Sequence, residues 1–259
     1  AIKVELTTGI PAVLDTARRM GVTSLNQDDS HYGISLTLGG YGVSPLDMVT
    51  GASTLANLGV RHRPAAVLTI QDGLGKTVFK YDPAKNEFQA ISPQVAFIID
   101  SIMSDDRNRC MSFGCGGDLT LPGRHVGAKT GTTQDFRDNW TVGFTPTLAT
   151  AVWVGNPDYH PLAHNSTGIV GAAPLWHQFM TQALAAQPDQ WYAVPAGVAA
   201  LGQNYYLPGT QSLPATLAGP WPTCRFTSYN PYTLTDAQQI VNGLPGVLSY
   251  TPRDLNQQG

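Results

Sequence analysis

The first readable pattern of apolar and polar positions is helical. Val13, Leu14 and Ala17 stand between Pro11, suited to a first helical turn, and Gly21, a helix stop. A short amphipathic helix is predicted over about residues 10 to 20, its apolar stripe facing a core. Ser44-Pro45-Leu46-Asp47 reads as a capping box with proline in the first turn, and Val49, Ala52, Leu55 and Ala56 carry that helix to its stop at Gly59. The period then changes. Residues 65 to 71 and 76 to 81 are rich in β-formers and flank Asp72-Gly73-Leu74-Gly75, which predicts a hairpin. Ser92-Pro93 caps a further helix whose Val95, Ile98, Ile99, Ile102 and Met103 are expected to form one apolar face.

Three later runs, roughly 125 to 133, 139 to 144 and 148 to 154, have connections so short that they are expected to be neighbouring antiparallel strands. Ala172-Ala173-Pro174 begins a helix with Leu175, Trp176, Phe179, Met180 and Leu184, a face large enough to cover one side of that sheet. The body, residues 1 to 187, is therefore expected to be α+β, an antiparallel sheet flanked by helices. Residues 188 to 259, where prolines recur from Pro188 to Pro252 with little periodicity, read as a tail or small appended region.

Composition narrows the function. At 259 residues and 42% apolar content the chain can build one substantial core, and its 13% charged fraction is low for a globular protein. A net charge of −3 with no Lys/Arg cluster gives no basic field for nucleic acid. There is no run of 18 apolar residues and no charged start followed by an apolar signal core, so any membrane anchor must lie outside these residues. Cys110 and Cys115, five apart, either close a small disulfide loop or stay free, with Cys224 left over. His160 and His164 have the spacing of a helical metal pair, but Pro161 and the lack of a third ligand argue against it; no metal or cofactor is expected. Asn165-Ser166-Thr167 matches a glycosylation acceptor, which has meaning only in a eukaryotic secretory route.

The densest chemistry lies in Gly127-Ala128-Lys129-Thr130-Gly131-Thr132-Thr133, followed by Asp138-Asn139-Trp140. A bare Lys-Thr-Gly arises by chance in about one chain in twenty of this length, the extended Lys-Thr-Gly-Thr-Thr in about one in several thousand. The plain alternative is a solvated strand lysine with Gly131 marking a bulge. Trp140 is expected to pack under the sheet rather than touch a ligand.

This run resembles the third active-site motif of penicillin-binding proteins, where a cation, a hydroxyl and a glycine on one strand hold a peptide beside a nucleophilic serine. The resemblance is broad. The order Leu38-Gly39-Gly40, Ser44-Pro45-Leu46-Asp47-Met48, Ala56-Asn57-Leu58-Gly59, a hairpin, a helix, the Lys-Thr-Gly run, Asp138-Asn139-Trp140-Thr141-Val142-Gly143-Phe144, Val152-Trp153-Val154-Gly155 and Ala173-Pro174-Leu175-Trp176 is similar to the C-terminal half of a class A, bifunctional penicillin-binding protein's transpeptidase domain, over roughly residues 1 to 186. It implies the serine β-lactamase/transpeptidase-like fold, here as a partial domain, with a five-stranded antiparallel sheet. It also implies an exported bacterial enzyme of cell-wall synthesis, extracytoplasmic, whose membrane anchor belongs to the parent protein. The implied activity is an acyl-serine DD-transpeptidase that cross-links peptidoglycan stem peptides and is inhibited by β-lactams. A non-catalytic peptide-binding or scaffold module of the same fold, and a DD-carboxypeptidase or β-lactamase, are the alternatives.

By that resemblance Lys129 would hold a proton-shuttling serine and ease negative charge at the nucleophile. The Thr130 and Thr132 hydroxyls would bind a substrate carboxylate, and the Thr132 N–H would form half of an oxyanion hole. Gly131 would let the peptide lie close along the strand, with Thr133 completing the substrate-binding run. The departure is equally plain: the residues three before Lys76, Lys80, Lys85 and Lys129 are Gly73, Thr77, Asp82 and Val126, and Lys3 has none, so the family's Ser-x-x-Lys is not in this sequence. Ser24-Leu25-Asn26 fits the family's Ser-x-Asn by letters but follows the helix ending at Gly21, and it is read as a decoy. Ala1-Ile2-Lys3-Val4 resembles the segment that normally follows the true Ser-x-Asn, so the chain is expected to start inside the domain.

Overall fold

The computed structural model describes residues 2 to 210, which belong to the first of two compact units, ending at Ser212. Cys224 and the tail from 211 onward lie outside the described residues. In chain order the elements are α1 (Ile2–Thr8), α2 (Ile10–Met20), α3 (Pro45–Ala56), β1 (Val60–His62), β2 (Thr69–Gln71), β3 (Thr77–Lys80), β4 (Glu87–Gln89), α4 (Pro93–Ser104), α5 (Arg107–Phe113), β5 (Gly127–Thr132), β6 (Asp138–Thr145), β7 (Leu148–Gly155), α6 (Ala172–Leu184), β8 (Ala199–Leu201) and β9 (Asn204–Tyr206). The fold is α+β, as expected.

Local chemistry sets most boundaries. α2 ends where Gly21 turns left-handed at φ 113° and returns its N–H to the carbonyls of Ala17 and Arg18. α3 starts where the Ser44 hydroxyl accepts the Asp47 N–H at 3.1 Å. The capping box is only half formed, however. Asp47 does not reach back to Ser44; its carboxylate instead accepts hydrogen bonds from the Thr23 hydroxyl and from both the N–H and hydroxyl of Ser24. Those bonds hold its pKa below the usual carboxylate value against the opposing effect of burial. In the hairpin of β2 and β3, the Asp72 carboxylate accepts the N–H groups of Leu74 and Lys76, both at 2.9 Å.

The centre is a three-stranded antiparallel sheet in the order β5-β6-β7. Period-two alternation gives it two faces. On one, Val126 and Ala128 meet Ala173, Trp176, Met180 and Leu184 of the α6 layer, all buried. On the other, Val142 and Phe144 meet Ala52 and Ala56 of α3, with Met103 of α4 and Trp140 packed against them. Trp140 thus packs, half-buried, against this core under the sheet.

α4 departs from its sequence pattern. It buries Ala96, Phe97 and Asp100, while Val95, Ile99 and Ile102 of the apolar stripe are exposed. A periodic stripe identifies a face without identifying what covers it. Here Phe97 stacks edge-on against Tyr205 of β9 at 4.9 Å, which turns α4 toward residues 188 to 210. That segment is also tied down by Tyr192, whose hydroxyl donates to the Ala56 carbonyl at 2.7 Å, and by Asp189, which accepts from the His125 N–H at 2.9 Å. Cys110 and Cys115 are joined in a disulfide.

Candidate functional site

Among the described residues β5 pairs with β6 alone, so it is an edge strand whose outer main-chain groups have no partner strand. It carries the whole Lys-Thr-Gly run. In the register, Lys129 lies opposite Val142 and Gly131 opposite Trp140, which places both on the α3 and α4 face; Thr130 opposite Thr141 and Thr132 opposite Asn139 lie on the α6 face. A ligand lying along the edge in the plane of the sheet can meet residues of both faces.

Lys129 is exposed and makes one hydrogen bond, from its ammonium to the neighbouring Thr130 carbonyl at 2.6 Å. No carboxylate pairs with it among the described residues. Partial desolvation lowers its pKa from the ordinary lysine value. An ammonium has three donors, so capacity remains for an incoming group. Gly131 has room: a Cβ there would meet only the Trp140 Cβ, at an ordinary 3.5 Å.

The threonines divide. The Thr132 hydroxyl accepts the Gly168 N–H at 3.0 Å and donates to no described residue, so its hydrogen is free. Thr133 is committed: its hydroxyl donates to the Asp138 carbonyl at 3.0 Å and accepts the Asp138 N–H at 2.9 Å, closing the turn that returns the chain to β6. In that turn Asp135 and Phe136 adopt left-handed backbone at φ 56° and 53°, a conformation that costs non-glycine residues energy unless neighbours enforce it. The loop after β7 does so: the Leu162 N–H donates to the Phe136 carbonyl at 2.8 Å, and the Arg137 guanidinium to the Tyr159 carbonyl at 2.9 Å.

Ser24 lies elsewhere. Besides binding Asp47, its hydroxyl accepts the Ser44 N–H at 3.1 Å, a joint between the α2–α3 connection and the start of α3. That structural role fits the decoy reading. His160 and His164 take different partners, Asp158 and the Phe136 ring. Asp106, Cys110 and Cys115 lie close together, but the sulfurs are bonded to each other and the carboxylate is engaged by Arg109, Gly116 and Thr120.

What the sequence did not point to is the segment behind the strand. Gly168 and Gly171 press against the β5–β6 pair, where a Cβ on Gly168 would lie 2.6 Å from the carbonyl oxygens of Gly131 and Trp140, and one on Gly171 2.6 Å from the Asn139 side chain. The signal, a glycine between a strand and a helix, was visible; the contact is tertiary and was not.

Residues 13–180 match the family model described as the penicillin binding protein transpeptidase domain. Penicillin-binding protein 1A of Neisseria lactamica is 29% identical over 211 residues, covering 80% of this chain and 26% of that protein. The penicillin-binding protein PonA1 of Mycobacterium tuberculosis superposes with a TM-score of 0.65 at 29% identity, covering 82% of this chain and 58% of that one. The PonA1 complex with penicillin V gives 0.64 at 29% identity over 74% of this chain and 55% of that one. The chain spans about a quarter of the length of the curated relatives it matches, and by its own match to the family model it belongs to the penicillin-binding protein transpeptidase domain family.

Proposed function

We propose that this chain supplies the substrate-binding strand of a serine-type, penicillin-sensitive DD-transpeptidase that cross-links peptidoglycan stem peptides. The observation that carries the reading is a strand, β5, that is an edge among the described residues, with a cation at Lys129 that has no ion partner among them and room at Gly131. A stem peptide would add to that edge as a further strand, gaining main-chain hydrogen bonds. Lys129 would stabilise negative charge as a serine attacks, the Thr132 N–H would take part of the oxyanion, and Thr130 and Thr132 would hold a carboxylate of peptide or β-lactam. Thr133, with its hydroxyl in the turn, would fix where the strand ends. The nucleophile would come from a Ser-x-x-Lys outside these 259 residues, in a parent protein anchored to the membrane with this domain outside the cytoplasm.

Labelling with a fluorescent penicillin tests this. A longer polypeptide carrying this chain and an upstream Ser-x-x-Lys is expected to form a covalent penicilloyl adduct, and the 259-residue chain is not. A mass-mapped adduct on Ser24, or on any serine of these residues, would overturn the assignment of the nucleophile. A longer polypeptide that binds stem peptides without acylation would favour a non-catalytic module.

A further inference from the structure

We propose that Gly168 is a positioning residue for the ligand-binding strand. Its N–H fixes the Thr132 hydroxyl oxygen and thereby leaves that hydroxyl's hydrogen to a ligand carboxylate. The inference rests on the functional reading above and assigns a residue to which that reading gives no part.

A threonine hydroxyl has one donor hydrogen and two acceptor sites, and which way it donates depends on what it accepts. Thr132 accepts the Gly168 N–H at 3.0 Å and donates to no described residue. On an edge strand a side chain otherwise samples rotamers, and holding a single one removes part of the entropy cost of binding.

The approach requires glycine. Gly168 is buried, and a Cβ on it would sit 2.6 Å from the Gly131 and Trp140 carbonyl oxygens and 3.0 Å from the Thr130 Cβ. Two of those three atoms are main chain of the paired strands, which cannot rotate away, so a larger residue must lift the segment off the sheet and stretch the bond to Thr132. The segment is held from the far side as well. The fully buried Thr141 hydroxyl is shared between the Trp140 carbonyl at 3.0 Å and the Gly168 carbonyl at 3.3 Å. The buried Asn139 amide donates to the carbonyl and hydroxyl of Ser166 at 3.3 and 3.2 Å. Gly168 is thus gripped at both its N–H and its C=O, between the strand that would meet ligand and the strand behind it.

Two measurements test this. In the 259-residue chain, hydrogen exchange of the Gly168 amide is expected to be slow, to accelerate at least about tenfold in Thr132→Val, and to stay slow in Thr132→Ser, which keeps the acceptor. An equally fast amide in all three would overturn the proposal without need of any Gly168 variant. In the longer polypeptide, second-order acylation by penicillin V is expected to fall about tenfold or more in Gly168→Ala and in Thr132→Val, with the double variant no slower than the slower single one, because both remove the same hydroxyl geometry. Thr132→Ser is expected to restore most of the rate. Losses that multiply in the double variant would show that Gly168 acts through bulk structure and would overturn the positioning role alone. No acylation of the unsubstituted longer polypeptide would instead remove the functional reading and this proposal together.

Discussion

The two faces of the β5-β6-β7 sheet use the same kinds of residue to opposite ends. On the α6 face, Trp176, Met180 and Leu184 are sealed and Gly143 is small because the indole fills its place: a Cβ on Gly143 would lie 2.4 Å from the Trp176 ring. On the α3 and α4 face, Gly131 has room for a Cβ, Lys129 has no ion partner among the described residues and Trp153 is partly exposed. A glycine that packing requires and a glycine that packing leaves alone occur three strand positions and one face apart. The difference separates a glycine position that holds this domain together from one that is available to a ligand.

The largest expected effect breaks the sealed face. Trp176→Ala removes a fully buried indole from the centre of the α6 layer and is expected to cost about 3–5 kcal/mol of stability, read from urea unfolding. Trp153→Ala, on the other face and 39% exposed, is expected to cost no more than about 1 kcal/mol. Equal losses would mean that the two faces are not distinct in packing.

A second test uses Asp100, which belongs to the α4 side. It is fully buried, neither carboxylate oxygen has a hydrogen-bond partner among the described residues, and burial pushes its pKa from 3.8 up to about 8. Tyr192 is the titratable group beside it, and burial together with that carboxyl raises the Tyr192 phenol as well. Because the folded state keeps a proton on Asp100 that the unfolded chain releases, stability falls as pH rises from about 4 to about 8, by up to roughly 1.4 kcal/mol per unit. Asp100→Asn is expected to flatten that slope and to be more stable than the unsubstituted protein by up to about 4 kcal/mol at pH 7, with little difference near pH 3. Parallel stability curves for the two proteins between pH 4 and 8 would contradict the buried, proton-holding carboxyl.

On the open face, Lys129→Ala is expected to leave folding nearly unchanged and to slow penicillin acylation of the longer polypeptide about a hundredfold, the scale of losing one positioned electrostatic group. Stopped-flow acylation beside a thermal melt separates the two. A large loss of melting temperature would place Lys129 among the structural residues instead.

Sequence made the sealed face more legible than the open one. The α2, α3 and α6 spans, the hairpin and the three central strands follow from periodicity, Pro and Gly punctuation and short connections, all of them local. α1 and α5 are only seven residues long each and had no readable stripe, and the three-residue strands β1 and β4 pair across 25 or more positions, beyond the reach of local pattern. The Lys-Thr-Gly run was legible as chemistry because its residue types are rare together. Its support was not: the bond from Gly168 to Thr132 and the burial of Asp100 beneath an aliphatic stripe depend on which faces meet, and no single segment encodes that.

The smallest expected change in stability belongs to Gly131, and it divides the two faces most sharply. Its backbone does not adopt the left-handed conformation reserved for glycine, and an added Cβ would find only the Trp140 Cβ at 3.5 Å. Gly131→Ala is therefore expected to change unfolding stability by less than about 1 kcal/mol, since the lost backbone freedom of the unfolded chain offsets any crowding. Gly143→Ala, by contrast, drives its Cβ to within 2.6 Å of the Gly127 carbonyl as well as into Trp176, and is expected to cost about 1–3 kcal/mol or more. If β5 is the edge on which a peptide or β-lactam lies, Gly131→Ala still slows acylation of the longer polypeptide, because the methyl occupies the ligand's space rather than the protein's. A Gly131→Ala protein that is both as stable and as quickly acylated as its parent would show that the strand's open side is empty for reasons unrelated to ligand.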